Sequence, residues 1–354
     1  MSPKTRKTNT IMVGPVPVGG RHPVVIQSMT NTPTHDVPAT LKQIRKLARA
    51  GCEIVRCAVP DNRAAKALKT IVSKSPLPVV ADVHFRAALA VRAIEAGVAK
   101  VRINPGNIGG KAEILKVIRA ARKAGIPIRI GVNSGSLEKD LLRKYKRPTP
   151  AALAASMLRW VKYFEGKDFT GLILSVKSAS LEDTITVNRK LSAKLDYPLH
   201  IGITEAGTRR YGTVKSAIGL GVLLREGIGD TIRVSLSGDP VHEITAAQDI
   251  LKALGLRRFG PEIITCPTCG RTRMQVEKIA LEVEKQTRTL DLDIAIAVMG
   301  CEVNGPGEAA EADIGIACGN DKAALFVKGK KIRSIPAGRV VSELLSEIKN
   351  RFLT

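Results

Sequence analysis

Short apolar runs rich in valine and isoleucine recur along the first 236 residues: VVIQSM (24–29), EIVRCAV (53–59), PVVADV (78–83), KVRINP (100–105), IRIGVN (128–133), GLILSVK (171–177), LHIGIT (199–204) and TIRVSL (231–236). Their length and β-branched content predict eight strands. Between most of them the apolar positions recur every three or four residues, as in ATLKQIRKLARAG (39–51), FRAALAVRAIEAG (85–97) and GKAEILKVIRAARKAG (110–125). Each of these three helical patterns ends in a glycine suited to a helix C-terminus. Strands alternating with helices imply βαβ units and a parallel sheet. Eight units in roughly 250 residues match a (β/α)8 TIM barrel in number and length, which is the expectation for residues 1–254. A doubly wound open sheet would have fewer strands and a glycine-rich first turn, and none follows VVIQSM.

The pattern changes after LKALGLRRFGPE (251–262). A strand EIITC, a helix TRMQVEKIALEVEKQ, a strand DIAIAVMG, a Gly/Pro loop and ADIGIA follow. LFVKGKKIRSI then reads as a hairpin turning near Gly329, and VVSELLSEIKNRFL as a final helix. This predicts a second, smaller α/β domain over residues 255–354.

Charge adds a constraint. The formal net charge is +24, and the first 150 residues hold +20 of it, whereas residues 251–354 carry only +3. Such an excess points to an anionic partner, with nucleic acid as the first suspect. Six Phe, four Tyr and one Trp offer few stacking platforms for single strands. No apolar run of about 18 residues is present to span a membrane. The basic start MSPKTRKTNT precedes no apolar core of a secretory signal. Six scattered cysteines do not form a disulfide framework, so a reducing cytoplasm is expected.

Three cysteines carry candidate chemistry. Cys266-Pro-Thr-Cys269 leaves one strand, and Cys301 follows another in MGCEVNGPGE (299–308). Adjacent strand ends would bring these thiols together. A C-x-x-C alone fits a redox dithiol, half a zinc site or a cluster ligand pair. Three thiolates favour a metal, and no histidine follows His242 to complete a zinc site. An iron–sulfur cluster on three thiolates leaves one iron for an oxygen ligand, and the turn Asn304-Gly305-Pro306-Gly307 is suited to bring Glu308 back to it. Cys52, Cys57 and Cys318 read as small core residues.

In the barrel, chemistry belongs at the C-terminal strand ends. Strand parity puts Asp82 with His84, Arg102 with Asn104, Arg129 with Asn133, and Arg233 with Ser235 on shared faces. Arg56 lies within the second strand, Lys177 ends the sixth, and Glu205 follows the seventh. One account of these arginines is an internal salt-bridge network with Asp82 and Glu205. The other is a cage for a phosphorylated ligand, favoured because Arg56, Arg102, Arg129 and Lys177 outnumber the carboxylates.

These segments resemble the bacterial 4-hydroxy-3-methylbut-2-enyl diphosphate synthase family of the non-mevalonate isoprenoid pathway. The likeness runs from about Gln27 to Glu311: QSMTNT (27–32), VADVHF (80–85), RINPGNIG (102–109), PIRIGVNSGSLEKDLL (127–142), GITEAG (202–207), KSAIGLGVLLREGIGDTIRVSL (215–236), CPTCGRT (266–272) and MGCEVNGPGEA (299–309). The length is similar to the short, two-domain form. The resemblance implies a TIM barrel followed by a reductase-like domain. It also implies a 4Fe-4S cluster on Cys266, Cys269, Cys301 and Glu308. The implied substrate is 2-C-methyl-D-erythritol 2,4-cyclodiphosphate, held by Arg56, Arg102, Arg129, Asn133, Lys177, Ser235 and Asn104. Glu205 would be the catalytic acid, with Asp82 and His84 orienting it. Flavodoxin or ferredoxin would donate electrons to a homodimer whose active site is shared between chains, with no nucleic acid or membrane involved.

Overall fold

The structure, a computed structural model, describes residues 6–353; the first five residues of the basic start lie outside the described residues. The chain divides into two compact units, Met1–Arg257 and Arg258–Thr354. The division falls three residues beyond 254 because Arg257 is tied to the first unit. Its Nη1 donates to the Val24 carbonyl at 2.9 Å and to Glu53 Oε2 at 2.6 Å.

The first unit opens with a hairpin of β1 (Ile11–Val13) and β2 (Val16–Val18). Three-residue strands are too short to show a hydrophobic period, so the sequence pattern did not reveal them. Val13 and Val18 pack against Val25, Ile54, Val80 and Ile173. Those four lie at or near the first residues of their barrel strands, so the hairpin plugs the N-terminal end of the barrel.

All eight expected strands form: β3 (Val25–Met29), β4 (Ile54–Ala58), β5 (Val79–Val83), β6 (Lys100–Ile103), β7 (Ile128–Asn133), β8 (Leu172–Lys177), β9 (His200–Ile201) and β10 (Thr231–Ile232). They run parallel in the order β8-β7-β6-β5-β4-β3-β10-β9, and a bridge between Leu174 and Leu199 brings the ends of the sheet together. The last two strands keep two residues each, shorter than the sequence pattern suggested. Helices follow the strands outside the barrel, several with a side chain holding the first free N–H. Asp36 accepts from Ala39 N, Asp61 from Ala64 N, Thr149 from Ala152 N and Ser180 from Asp183 N.

The second unit is one five-stranded sheet in sequence order: β11 (Glu262–Thr265), β12 (Ala295–Met299), β13 (Ile314–Cys318), β14 (Lys322–Val327) and β15 (Lys330–Pro336). The first three strands are parallel and the last three antiparallel. The expected hairpin turns at Lys328 and Gly329, with φ of +46° and +80°. Helices Val276–Thr287 and Val340–Phe352 bury Val283, Leu344 and Ile348 against Ile296 and Val298. On the opposite face, Ala309 of helix Gly305–Glu311 packs with Ala297, Met299 and Ala317. Among the described residues, no helix is long and apolar enough to cross a membrane.

Candidate functional site

The ladder registers Asp82 of β5 beside Arg102 of β6, and Arg102 beside Arg129 of β7. Paired residues in a parallel sheet share a face, so these three side chains form a row inside the barrel. Asp82 is the hub. Its Oδ1 accepts from Arg102 Nη1 at 2.9 Å, its Oδ2 lies 3.4 Å from Arg56 Nε, and His84 Nε2 stands 3.5 Å from Oδ1. Burial opposes ionisation of Asp82, but Arg56, a hydrogen bond from His84, Arg102 and Arg129 together hold its carboxyl well below the usual range.

The cations outnumber the available anions. Arg56, Lys100, Arg102, Arg129, Lys177 and Arg233 share the interior with Asp82 and Glu243. Glu243 is already taken. Arg233 grips it with Nε at 3.0 Å and Nη2 at 2.9 Å, while Ser28 Oγ and Leu236 N donate to it at 2.7 and 3.2 Å. Among the described residues, Arg129 Nε and Nη1 and Arg102 Nε are buried without a hydrogen-bond partner. Burial, with Arg56 and Arg102 nearby, pushes Arg129 well below its ordinary value. Unsatisfied buried guanidinium groups are costly. This arrangement therefore fits an anion that supplies the missing acceptors. The internal salt-bridge account loses its second carboxylate, because Glu205 stands exposed beyond β9 on a left-handed backbone at φ +52°. Phe85, just past His84, is likewise left-handed at φ +64° and is 70 % exposed.

Two glycines make room for the cations. A Cβ on Gly131 of β7 would lie 2.6 Å from Arg102 Nε and 2.8 Å from Nη2. A Cβ on Gly202 would lie 2.6 Å from Lys177 Nζ and 2.4 Å from the Arg233 carbonyl. Glycine inside a strand ordinarily weakens it, but Gly131 within β7, like Gly202 just past β9, leaves space for charged groups. Gly131→Ala is expected to displace the Arg102 guanidinium and weaken pyrophosphate binding about tenfold, a change of about 1.4 kcal/mol, measured by titration calorimetry.

The remaining sequence-derived positions line the same end of the barrel. Asn133 is registered with Lys177 across β7 and β8. Asn104 is buried, and its Oδ1 accepts from Gly106 N at 3.2 Å, shaping the loop before helix Lys111–Ala124. Ser235 is half-buried just past β10. Lys100, Gln27, His200 and Glu243 were not singled out from the sequence. Parity along β6 already put Lys100 on the face of Arg102. Glu243 comes from helix Val241–Ala253 and carries no local signal.

In the second unit, β11 and β12 are neighbours as expected, with Thr265 registered against Val298. Cys266 and Cys301 therefore leave adjacent strand ends, and Gly300 N donates to Cys266 Sγ at 3.2 Å. The backbone N–H of Arg271 lowers the pKa of Cys269, with its guanidinium adding to the effect. The N–H groups of Asn304 and Val303 do the same for Cys301. Glu308 stands exposed on helix Gly305–Glu311. Among the described residues, no three of His, Cys, Asp and Glu close around a single metal position. The donor chemistry nevertheless suits an iron–sulfur cluster: three accessible thiols, two of them biased toward thiolate, and a carboxylate. Cys52, Cys57 and Cys318 are buried, and burial pushes their thiols up to about 12, 11 and 11.

The fold and its interior define a TIM barrel lined with basic side chains, followed by a thiol-bearing α/β unit. Two family models match the chain: the GcpE TIM-barrel domain over residues 8–248 and the GcpE protein C-terminal domain over 262–350. A relative from Clostridium perfringens is 54 % identical over 344 residues, covering 97 % of this chain and 99 % of its own. Relatives from Caldanaerobacter subterraneus and Aquifex aeolicus are 52 % and 51 % identical, covering 98 % of this chain and 98 % and 97 % of theirs. All three are named 4-hydroxy-3-methylbut-2-en-1-yl diphosphate synthase (flavodoxin). The chain belongs to the GcpE family, and it is an enzyme. Among solved structures, dihydropteroate synthase from Stenotrophomonas maltophilia aligns at a TM-score of 0.52 and 13 % identity, over 70 % of this chain and 97 % of that one. It shares the barrel fold alone.

Proposed function

We propose that the enzyme converts 2-C-methyl-D-erythritol 2,4-cyclodiphosphate to (E)-4-hydroxy-3-methylbut-2-enyl diphosphate in isoprenoid precursor biosynthesis. Two electrons and two protons enter, a ring C–O bond breaks, and one hydroxyl leaves as water. The observation that carries this reading is the excess of buried cations with unpartnered donors inside the barrel, in a chain of this family. Arg56, Arg102 and Arg129, with Lys177, Asn133, Asn104 and Ser235, grip the diphosphate, which stays charged throughout and anchors the reacting carbons. Asp82 holds Arg56 and Arg102 in place from behind, and His84 stands beside Arg102 and Asp82. Glu205, at the exposed end of the barrel, delivers a proton to the departing hydroxyl.

Cys266, Cys269, Cys301 and Glu308 would hold a 4Fe-4S cluster, which supplies single-electron transfer and a replaceable iron position. The electron donor is flavodoxin or ferredoxin in the cytoplasm, an acidic protein drawn by the basic surface. The working unit is a homodimer with each active site shared between chains. Supporting a second copy, helix Arg209–Arg225 exposes Tyr211, Val214 and Ile218 along one face.

A mixing experiment tests the shared site. Cys301→Ser and Arg129→Ala chains, each inactive alone, are co-expressed in equal amounts. Sharing across a two-fold dimer predicts recovery of about a quarter of wild-type activity. No recovery contradicts the shared site.

A further inference from the structure

Lys177 sits where three adjacent strands meet, and its surroundings are built around its amine. His200, the first residue of β9, is fully buried. Its Nε2 stands 3.3 Å from Lys177 Nζ and its Nδ1 stands 3.3 Å from Thr231 Oγ1 on β10. Burial, joined by Arg129, Lys177 and Lys100, keeps the imidazole neutral. A neutral ring has one donor and one acceptor. Burial, Arg129 and Arg233 push the Lys177 amine well below its ordinary value, and a bound anion restores the ammonium; the nitrogen facing that ammonium accepts, so Nδ1–H donates to Thr231. Gly202 then leaves the space into which the lysine head fits. Lys177, His200 and Thr231 thus form a directed chain across β8, β9 and β10.

We propose that His200 is a positioning residue. Locked in one tautomer by Thr231, it holds the Lys177 ammonium against the diphosphate of the ligand. The inference rests on the anion-site reading above and adds a residue behind it that touches no ligand. A neutral imidazole suits the task because it orients an ammonium without neutralising it. A carboxylate in its place would cancel the charge that the ligand needs.

The test is calorimetric titration of the full-length protein with inorganic pyrophosphate. Lys177→Ala is expected to weaken binding strongly, and His200→Phe about tenfold. The double variant Lys177→Ala/His200→Phe should bind no more weakly than Lys177→Ala alone, because both changes remove one contact. His200→Gln, whose amide offers one acceptor and donors, should restore affinity to within about twofold of wild type. A fully additive double variant, wild-type affinity in His200→Phe, or failure of glutamine to rescue overturns the positioning role. Should His200→Phe not fold, Thr231→Val carries the test: about threefold weaker binding supports the role, and unchanged binding overturns it. A wild-type protein that ignores pyrophosphate, or a Lys177→Ala variant that binds it normally, overturns the anion-site reading and this inference together.

Discussion

Replacing Cys301 by serine is expected to strip the protein of bound iron and to lower turnover by about 10³-fold or more, equivalent to about 4 kcal/mol of barrier, while both units stay folded. A serine hydroxyl does not ionise at neutral pH, whereas the Cys301 thiol is already biased toward thiolate by the N–H groups of Asn304 and Val303. The internal control is Cys318→Ala. Cys318 is fully buried in the sheet core, and burial pushes its thiol up to about 11. It should keep its iron and lose only some stability. Iron and sulfide analysis beside circular dichroism separates the two variants. Full iron content in Cys301→Ser would remove Cys301 from the ligand set.

The second large effect concerns Asp82. Asp82→Asn leaves Arg56 and Arg102 without their shared carboxylate. Breaking a buried ion pair from one side costs about 3–5 kcal/mol, on the order of 10 °C in melting temperature for a unit of this size. Added pyrophosphate should restore more stability to Asp82→Asn than it adds to wild type, because an anion then replaces the missing charge. The acid limb should change as well. The folded-state pKa of Asp82 is depressed, so its contribution is fully present above the unfolded value of about 3.9. That contribution is lost as pH falls through the lower folded value. Wild type should therefore lose stability steeply below about pH 4, and Asp82→Asn should show a flatter limb. Parallel acid limbs would mean that Asp82 is not held ionised by its neighbours.

Local pattern made most of the fold legible. The eight barrel strands and the hairpin at Lys328–Gly329 follow from apolar periodicity and turn chemistry, which act over a few residues. Parity puts Asp82 with His84, Arg102 with Asn104 and Arg129 with Asn133 on shared faces, and the closed barrel turns Asp82, Arg102 and Arg129 inward. What stayed hidden depends on distant pairing. Glu243 belongs to a helix, and only the closed barrel brings it to Arg233 and Ser28. His200 looks like an ordinary strand histidine until β8 and β10 stand on either side of it. The β1–β2 hairpin is too short for any period. Glu205 follows its strand, as the pattern predicts, but its exposure and left-handed backbone keep it out of the interior ion pairs. The +24 charge first suggested nucleic acid. Part of it is traced to the barrel interior, where, among the described residues, four arginines and two lysines share the space with two carboxylates.

The central claim is that the buried cation row and the thiol-bearing unit serve one reductive reaction on a cyclic diphosphate. The most direct measurement is turnover of 2-C-methyl-D-erythritol 2,4-cyclodiphosphate by anaerobically prepared, iron-loaded protein with a chemical reductant, with the product followed by mass spectrometry. The account predicts (E)-4-hydroxy-3-methylbut-2-enyl diphosphate as the product, lost in both Arg129→Ala and Cys301→Ser. Iron-loaded protein that leaves the cyclodiphosphate unchanged would contradict it.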